Sequence, residues 1–151
     1  MALSPPSRPA PALPGAWRLL FLAALAVALL GLLAPASTLL ELKVWVSAWL
    51  PWAGELDRAD ALQHADKWVH AAIFLTLALL GLRAWPLARQ RRHMLLGLVA
   101  LAVATEWLQH YIPGRSASLG DFAADLAGLL LGALAFARLL PHPPALRQRL
   151  S

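Results

Sequence analysis

Three short polar groups interrupt the apolar stretches of this 151-residue chain, and each carries side chains that hold protons or charge. The first is Asp66-Lys67-x-x-His70, the second Glu106-x-x-Gln109, and the third Asp121-x-x-x-Asp125. On a helix, Asp66 and His70 are i and i+4, Glu106 and Gln109 are i and i+3, and each pair shares a face. Asp121 and Asp125 continue into Gly128 and Gly132 on one stripe. A carboxylate beside an imidazole can exchange protons, and clustered acids can hold a divalent cation. Arg115, between the second and third groups, is suited to phosphate or carboxylate.

What these residues lack is equally informative. The chain has no cysteine, which excludes disulfides, thiolate nucleophiles and sulfur-ligated metals. No serine or threonine stands beside a base in a recognisable nucleophile pattern, and no dense ligand motif is present. Spacing alone therefore assigns no metal and no cofactor, and does not favour an enzyme; Glu106 and His70 are the only catalytic candidates. Each element also has a plainer reading. Gly128-x-x-x-Gly132 is a close-packing stripe, Asp121 a charge favoured at a helix start, and Arg115 a lipid-phosphate anchor or partner of Asp121. His70 alone reads as a packing histidine. Glu106 is harder to set aside, because a buried carboxylate needs a partner, a proton or water.

The segments that must position these groups are apolar. Sixty per cent of the residues are hydrophobic and 14% charged, more apolar surface than a soluble domain of this length can hide. Four runs have the length of a membrane crossing, at 17–36, 67–85, 93–112 and 121–140. The expected fold is all-α, a polytopic membrane bundle of about four helices occupying residues 16–140. Residues 1–15, with five prolines, read as a disordered cytoplasmic tail, and 141–151 as a basic one. Ala34-Pro35-Ala36 has the small-x-small form of a signal-peptidase site. The proline within it and the length of the preceding run favour retention of the first segment. Trp45, Trp49 and Trp52, at i, i+4 and i+7 in the long connection 37–66, suit a segment at the membrane surface.

Orientation follows from lysine and arginine. Arg8 and Arg18 precede or open the first run, Arg83, Arg89, Arg91 and Arg92 lie between the second and third, and Arg138, Arg147 and Arg149 end the chain. Both termini are expected inside. The net charge of +5 is thus assigned to cytoplasmic loops and not to nucleic-acid binding. This topology carries the start of the second span, the end of the third and the start of the fourth to the outer face. His70 lies about 6 Å and Glu106 about 10 Å below it. His70, Glu106, Gln109, Arg115, Asp121 and Asp125 are expected to form one cluster there.

The ordered set Asp66-Lys67-x-x-His70, Glu106-x-x-Gln109, Pro113-x-Arg115, Asp121 and Gly128-x-x-x-Gly132 resembles the VanZ-like family of small bacterial membrane proteins, over about residues 60–135. One position departs from the family pattern, which usually carries asparagine where this chain has Asp125. The resemblance implies an inner-membrane, cell-envelope role and raises glycopeptide resistance as a setting; it implies no reaction. The expected activity is recognition of a lipid or lipid-linked headgroup by Asp66, Lys67, His70, Glu106, Gln109, Arg115, Asp121 and Asp125. The alternatives are a Glu/His enzyme on a lipid-linked substrate, or a structural protein that meets a membrane-protein partner. A homodimer through the glycine stripe is compatible with each.

Overall fold

Prolines set most of the helix ends. In the computed structural model, which describes residues 14–49 and 65–139, regular structure among those residues is helical throughout. The elements are α1 Pro14–Leu32, α2 Ala36–Ser47, α3 Ala65–Ala84, α4 Ala88–Gln109 and α5 Leu119–Leu139. Pro14 opens α1, where the missing N–H would have had no partner within the helix. Pro35 precedes α2, and its carbonyl accepts from the Leu39 N–H at 3.2 Å. Pro86 follows the last turn of α3, and Pro113-Gly114 follows α4, with Gly114 at φ +74°. That left-handed turn suits glycine.

Several expected boundaries move. The tail placed at 1–15 gives up Pro14 and Gly15 to α1, because proline is tolerated in a first turn; residues 1–13 and 140–151 lie outside the described residues. The first run ends at Leu32, not 36, and a separate helix, α2, starts at Ala36 inside the expected connection. Trp45 and Trp49 are exposed, with ring centroids 6.2 Å apart; Trp52 lies outside the described residues. The largest shift is in the third element. The basic residues Arg89, Arg91 and Arg92 were expected in the connection between the runs 67–85 and 93–112, yet α4 begins at Ala88 and ends at Gln109. Arginine is a good helix former, and its long side chain carries the charge away from the helix axis, so basic residues do not delay the helix.

Three helices are long and apolar enough to cross a membrane, within Gly15–Leu32, Asp66–Ala84 and Leu119–Leu139. The fourth expected crossing, α4, is 22 residues long but opens on Ala88-Arg89-Gln90-Arg91-Arg92-His93. The outward surface is apolar on α4 too, with Leu96, Val99, Val103 and Trp107 exposed beside Leu19, Val27, Leu130 and Leu134 of α1 and α5. So broad an apolar exterior belongs in lipid.

Helix α3 is the central element, packed against α1, α4 and, most extensively, α5. Phe74, Leu77 and Ala78 on α3 are fully or nearly fully buried, and Phe21, Ala28 and Leu32 of α1 join the same core. Small residues bring α3 and α5 together. A Cβ at Gly128 would collide with the Ala71 carbonyl, and one at Gly132 would come within 2.8 Å of both Leu75 O and Ala78 Cβ. The glycine stripe is therefore filled by α3 within the same chain, and is not free to seat a second copy.

Side chains close the helix ends. At one pole Arg18 Nε donates to the Ala84 carbonyl at 3.4 Å and Arg91 Nε to the Trp85 carbonyl at 2.8 Å, supplying donors to the end of α3. Arg83 lies 5.0 Å over the Trp17 ring and Arg91 4.8 Å over Phe136. At the other pole Gln109 Nε2 donates to the Leu32 carbonyl, the last of α1, at 2.8 Å. The Ala36 N–H reaches the Pro113 carbonyl at 3.4 Å.

Gly128→Leu should destabilise the bundle by about 1–3 kcal/mol or more, since backbone atoms of α3 stand where the side chain would go. Gly97→Ala, with nothing within 4 Å of its Cβ position, should be neutral or slightly stabilising. Thermal unfolding of both variants in detergent, followed by circular dichroism, checks the contrast.

Candidate functional site

The pole where α3 and α5 begin and α4 ends holds the buried polar residues. His70 lies one turn and a half into α3, Glu106 near the end of α4, and Asp125 two turns into α5. All three point inward, with fractional exposures of 2% for His70, 8% for Glu106 and 0% for Asp125. Each can offer one donor atom within 4.8 Å of the others.

Among these three side chains, His70 Nδ1 and Asp125 Oδ1 are in direct contact at 2.9 Å. With Asp125 ionised, the imidazole N–H donates to it, which orients the ring and leaves a lone pair on Nε2. The glycine contact makes this reach feasible. His70 adjoins Ala71 in sequence and Asp125 lies three residues before Gly128, so closely packed backbones let a short aspartate meet the ring.

Glu106 is held by a loop. Its Oε2 accepts from the Ser118 N–H at 2.8 Å. Ser118 is also the residue from which α5 starts. Its carbonyl accepts from the Asp121 and Phe122 N–H groups at 3.0 and 3.1 Å, and its Oγ accepts from the Gly120 N–H at 3.1 Å. Ser118 was not singled out from the sequence. The signal was available as Ser118-x-x-Asp121, serine and an acid at capping-box spacing.

The remaining candidates divide. Lys67 Nζ lies 3.6 Å from Asp121 Oδ1 and 3.9 Å from Asp66 Oδ1, and its side chain is about a third exposed, so this pair forms a rim over the buried three. Asp66 also accepts from the Lys67 backbone N–H at 2.9 Å and faces outward. Gln109 is buried, but its amide serves α1 through the Leu32 carbonyl. Arg115 sits half-buried in the loop, and the structure brings no carboxylate to its guanidinium among the described residues. Gly128 and Gly132 lie beneath the site as helix contacts. Thr105, buried beside Glu106, donates to Leu101 and Ala102 carbonyls of its own helix, each at 3.0 Å.

Three buried atoms of the cluster have no hydrogen-bond partner among the described residues, namely His70 Nε2, Glu106 Oε1 and Asp125 Oδ2. Asp121 Oδ1 also lacks one, but Lys67 stands opposite it. An apolar bundle with such atoms inside it is equipped to accept donors or positive charge from a guest.

The family model described as VanZ/LLP1 matches residues 19–140, which takes in all but the first turn of α1 and the whole site. Comparison with curated proteins and with solved structures returns no match.

Removing one member of the His70–Asp125 pair leaves the other buried and unpartnered. Asp125→Ala should therefore cost about 3–5 kcal/mol, and Asp121→Ala, at the rim, distinctly less. A His70→Ala/Asp125→Ala double-mutant cycle on melting in detergent should show non-additivity of about 0.5–3 kcal/mol.

Proposed function

We propose that this chain, which belongs to the VanZ/LLP1 family, is a multi-pass protein of the bacterial inner membrane that recognises the polar head of a lipid or lipid-linked envelope molecule. The observation that carries this reading is the cluster of buried polar atoms without partners on three helices, at one end of an otherwise apolar bundle. Lys67 and Arg115 supply positive charge at its rim, suited to phosphate or carboxylate, while His70, Glu106 and Asp125 accept from hydroxyl, amide or ammonium groups. An apolar groove of about 440 Å³ between α1 and α3 is bounded by Gly31 and Val69 at the end nearer the site. It offers an acyl chain a seat in the bilayer beside the headgroup.

In this reading α4 is the fourth crossing, with Arg89, Arg91 and Arg92 at the cytoplasmic headgroups and both chain termini inside. The polar pole then faces outward, where envelope precursors and glycopeptides are met, and a contribution to glycopeptide resistance is one consequence such recognition would have. A second copy or a membrane-protein partner would use a surface other than the filled glycine stripe, and exposed Trp45 and Trp49 are available.

A second reading, acid–base catalysis on the bound headgroup, is favoured by one observation. The His70–Asp125 pair presents an oriented imidazole with Glu106 close by. It requires that Glu106→Gln abolish formation of a product while the fold and headgroup binding persist.

Native mass spectrometry of the purified chain should find a defined lipid retained by the wild type and lost from Arg115→Ala and Glu106→Gln. Equal and unselective lipid in all three proteins would refute headgroup recognition and leave a polar clasp that only sets helix register.

A further inference from the structure

Donor atoms of three buried side chains meet at the bottom of the site. From the sequence, no metal is assigned, because His70, Glu106 and Asp125 stand in three separate segments with no ligand spacing between them. The fold brings one donor atom from each within 4.8 Å of the other two. We infer that His70, Glu106 and Asp125 bind a divalent transition-metal ion of the zinc or manganese class.

The geometry comes close to what an ion requires. Ligands at about 2.1 Å from a four-coordinate ion lie about 3.4 Å from one another. His70 Nδ1 and Asp125 Oδ1, 2.9 Å apart, are near that separation. An ion between them replaces their hydrogen bond, with the imidazole proton carried on Nε2 so that Nδ1 can ligate. Glu106 has the longer reach to close, and its three side-chain torsions allow it. Its Oε2 is anchored by the Ser118 N–H at 2.8 Å, while Oε1 has no partner. An outer hydrogen bond of this kind orients metal-binding carboxylates.

Charge points the same way. Two carboxylates and a neutral imidazole carry a charge of −2, which a divalent ion cancels. The nearest lysine, Lys67, is engaged by Asp66 and Asp121 at the rim. Buried oxygens without hydrogen bonds, Glu106 Oε1 and Asp125 Oδ2, are otherwise costly in an apolar bundle. The chemistry of the donors narrows the ion. One nitrogen and two carboxylates suit zinc or manganese, whereas calcium takes six to eight oxygens and magnesium favours oxygen and water. Three protein ligands also leave a position open to an anionic oxygen.

This inference deepens headgroup recognition at the same three residues and rests on that site. An ion there meets the headgroup's anionic oxygen in place of direct acceptance by the side chains. Metal content and lipid retention are read separately, so either can fail alone. The test uses the full chain purified in detergent without a polyhistidine tag, stripped with chelator and dialysed against Zn²⁺ or Mn²⁺. Elemental analysis should find about one equivalent of one of these ions per wild-type chain. Asp125→Asn and Glu106→Gln, which keep side-chain size, and His70→Gln should each lower it at least tenfold. His110→Ala, an exposed ring in the turn after α4, should retain the full equivalent. A readout without variants is the melting temperature of the wild type, which should rise with Zn²⁺ or Mn²⁺ and fall back on chelation. Failure of the wild type to retain stoichiometric metal overturns the assignment, as does metal that survives all three substitutions or leaves melting unchanged.

Discussion

Contact between the backbones of α3 and α5 is the constraint on which the rest of the molecule depends. Aspartate has a short side chain, and it reaches a histidine on a neighbouring helix only where the two helices nearly touch. Gly128 against Ala71, and Gly132 against Leu75 and Ala78, provide that approach. The His70–Asp125 contact at 2.9 Å is its direct consequence. Without a hydrophobic driving force between helices in lipid, close van der Waals packing and such polar contacts are what remain to fix helix register. The polar pair and the glycine stripe therefore act together, one specifying alignment and the other permitting it.

A second constraint is that a bilayer offers no water to unpaired backbone groups. The bundle meets it with side chains of unusual reach. Gln109 supplies a donor to the end of α1, and Arg18 and Arg91 supply donors to the end of α3. These contacts also divide the molecule by charge. Among the described residues, the pole with Arg18, Arg83, Arg89, Arg91, Arg92 and Arg138 carries no acid, whereas Asp66, Glu106, Asp121 and Asp125 gather at the other. One pole is built for headgroups of the positively flanked side, and the other is left to hold the site.

Within the site, the division of labour differs from a simple ring of equivalent polar residues. Gln109 and Ser118 hold other parts of the structure in place, Lys67 and Asp121 form an ion pair at the rim, and only His70, Glu106 and Asp125 have buried atoms that remain open. Asp125, the most deeply buried of the three, both accepts from His70 and places a carboxylate at the core of the site.

The sequence by itself determined that the chain is helical and membrane-embedded. Apolar runs of spanning length and prolines at their ends are local properties that packing does not reverse. Antiparallel connectivity was legible too, and with it the convergence of His70, Glu106 and Asp125 at one pole. Individual contacts were not. The sequence pattern groups Gln109 and Arg115 with the acids, because helical spacing gives a face and a depth but no partner. In the fold, Gln109 turns to the end of α1, and Arg115, half-buried in the loop between α4 and α5, has no carboxylate partner among the described residues. Likewise the basic run 89–92 falls between two expected spans by composition, and only the fold shows it as helix, with Arg91 capping the end of α3. Tertiary structure decided these points because each depends on which helix stands opposite, at distances of a few ångströms that one-dimensional spacing does not encode.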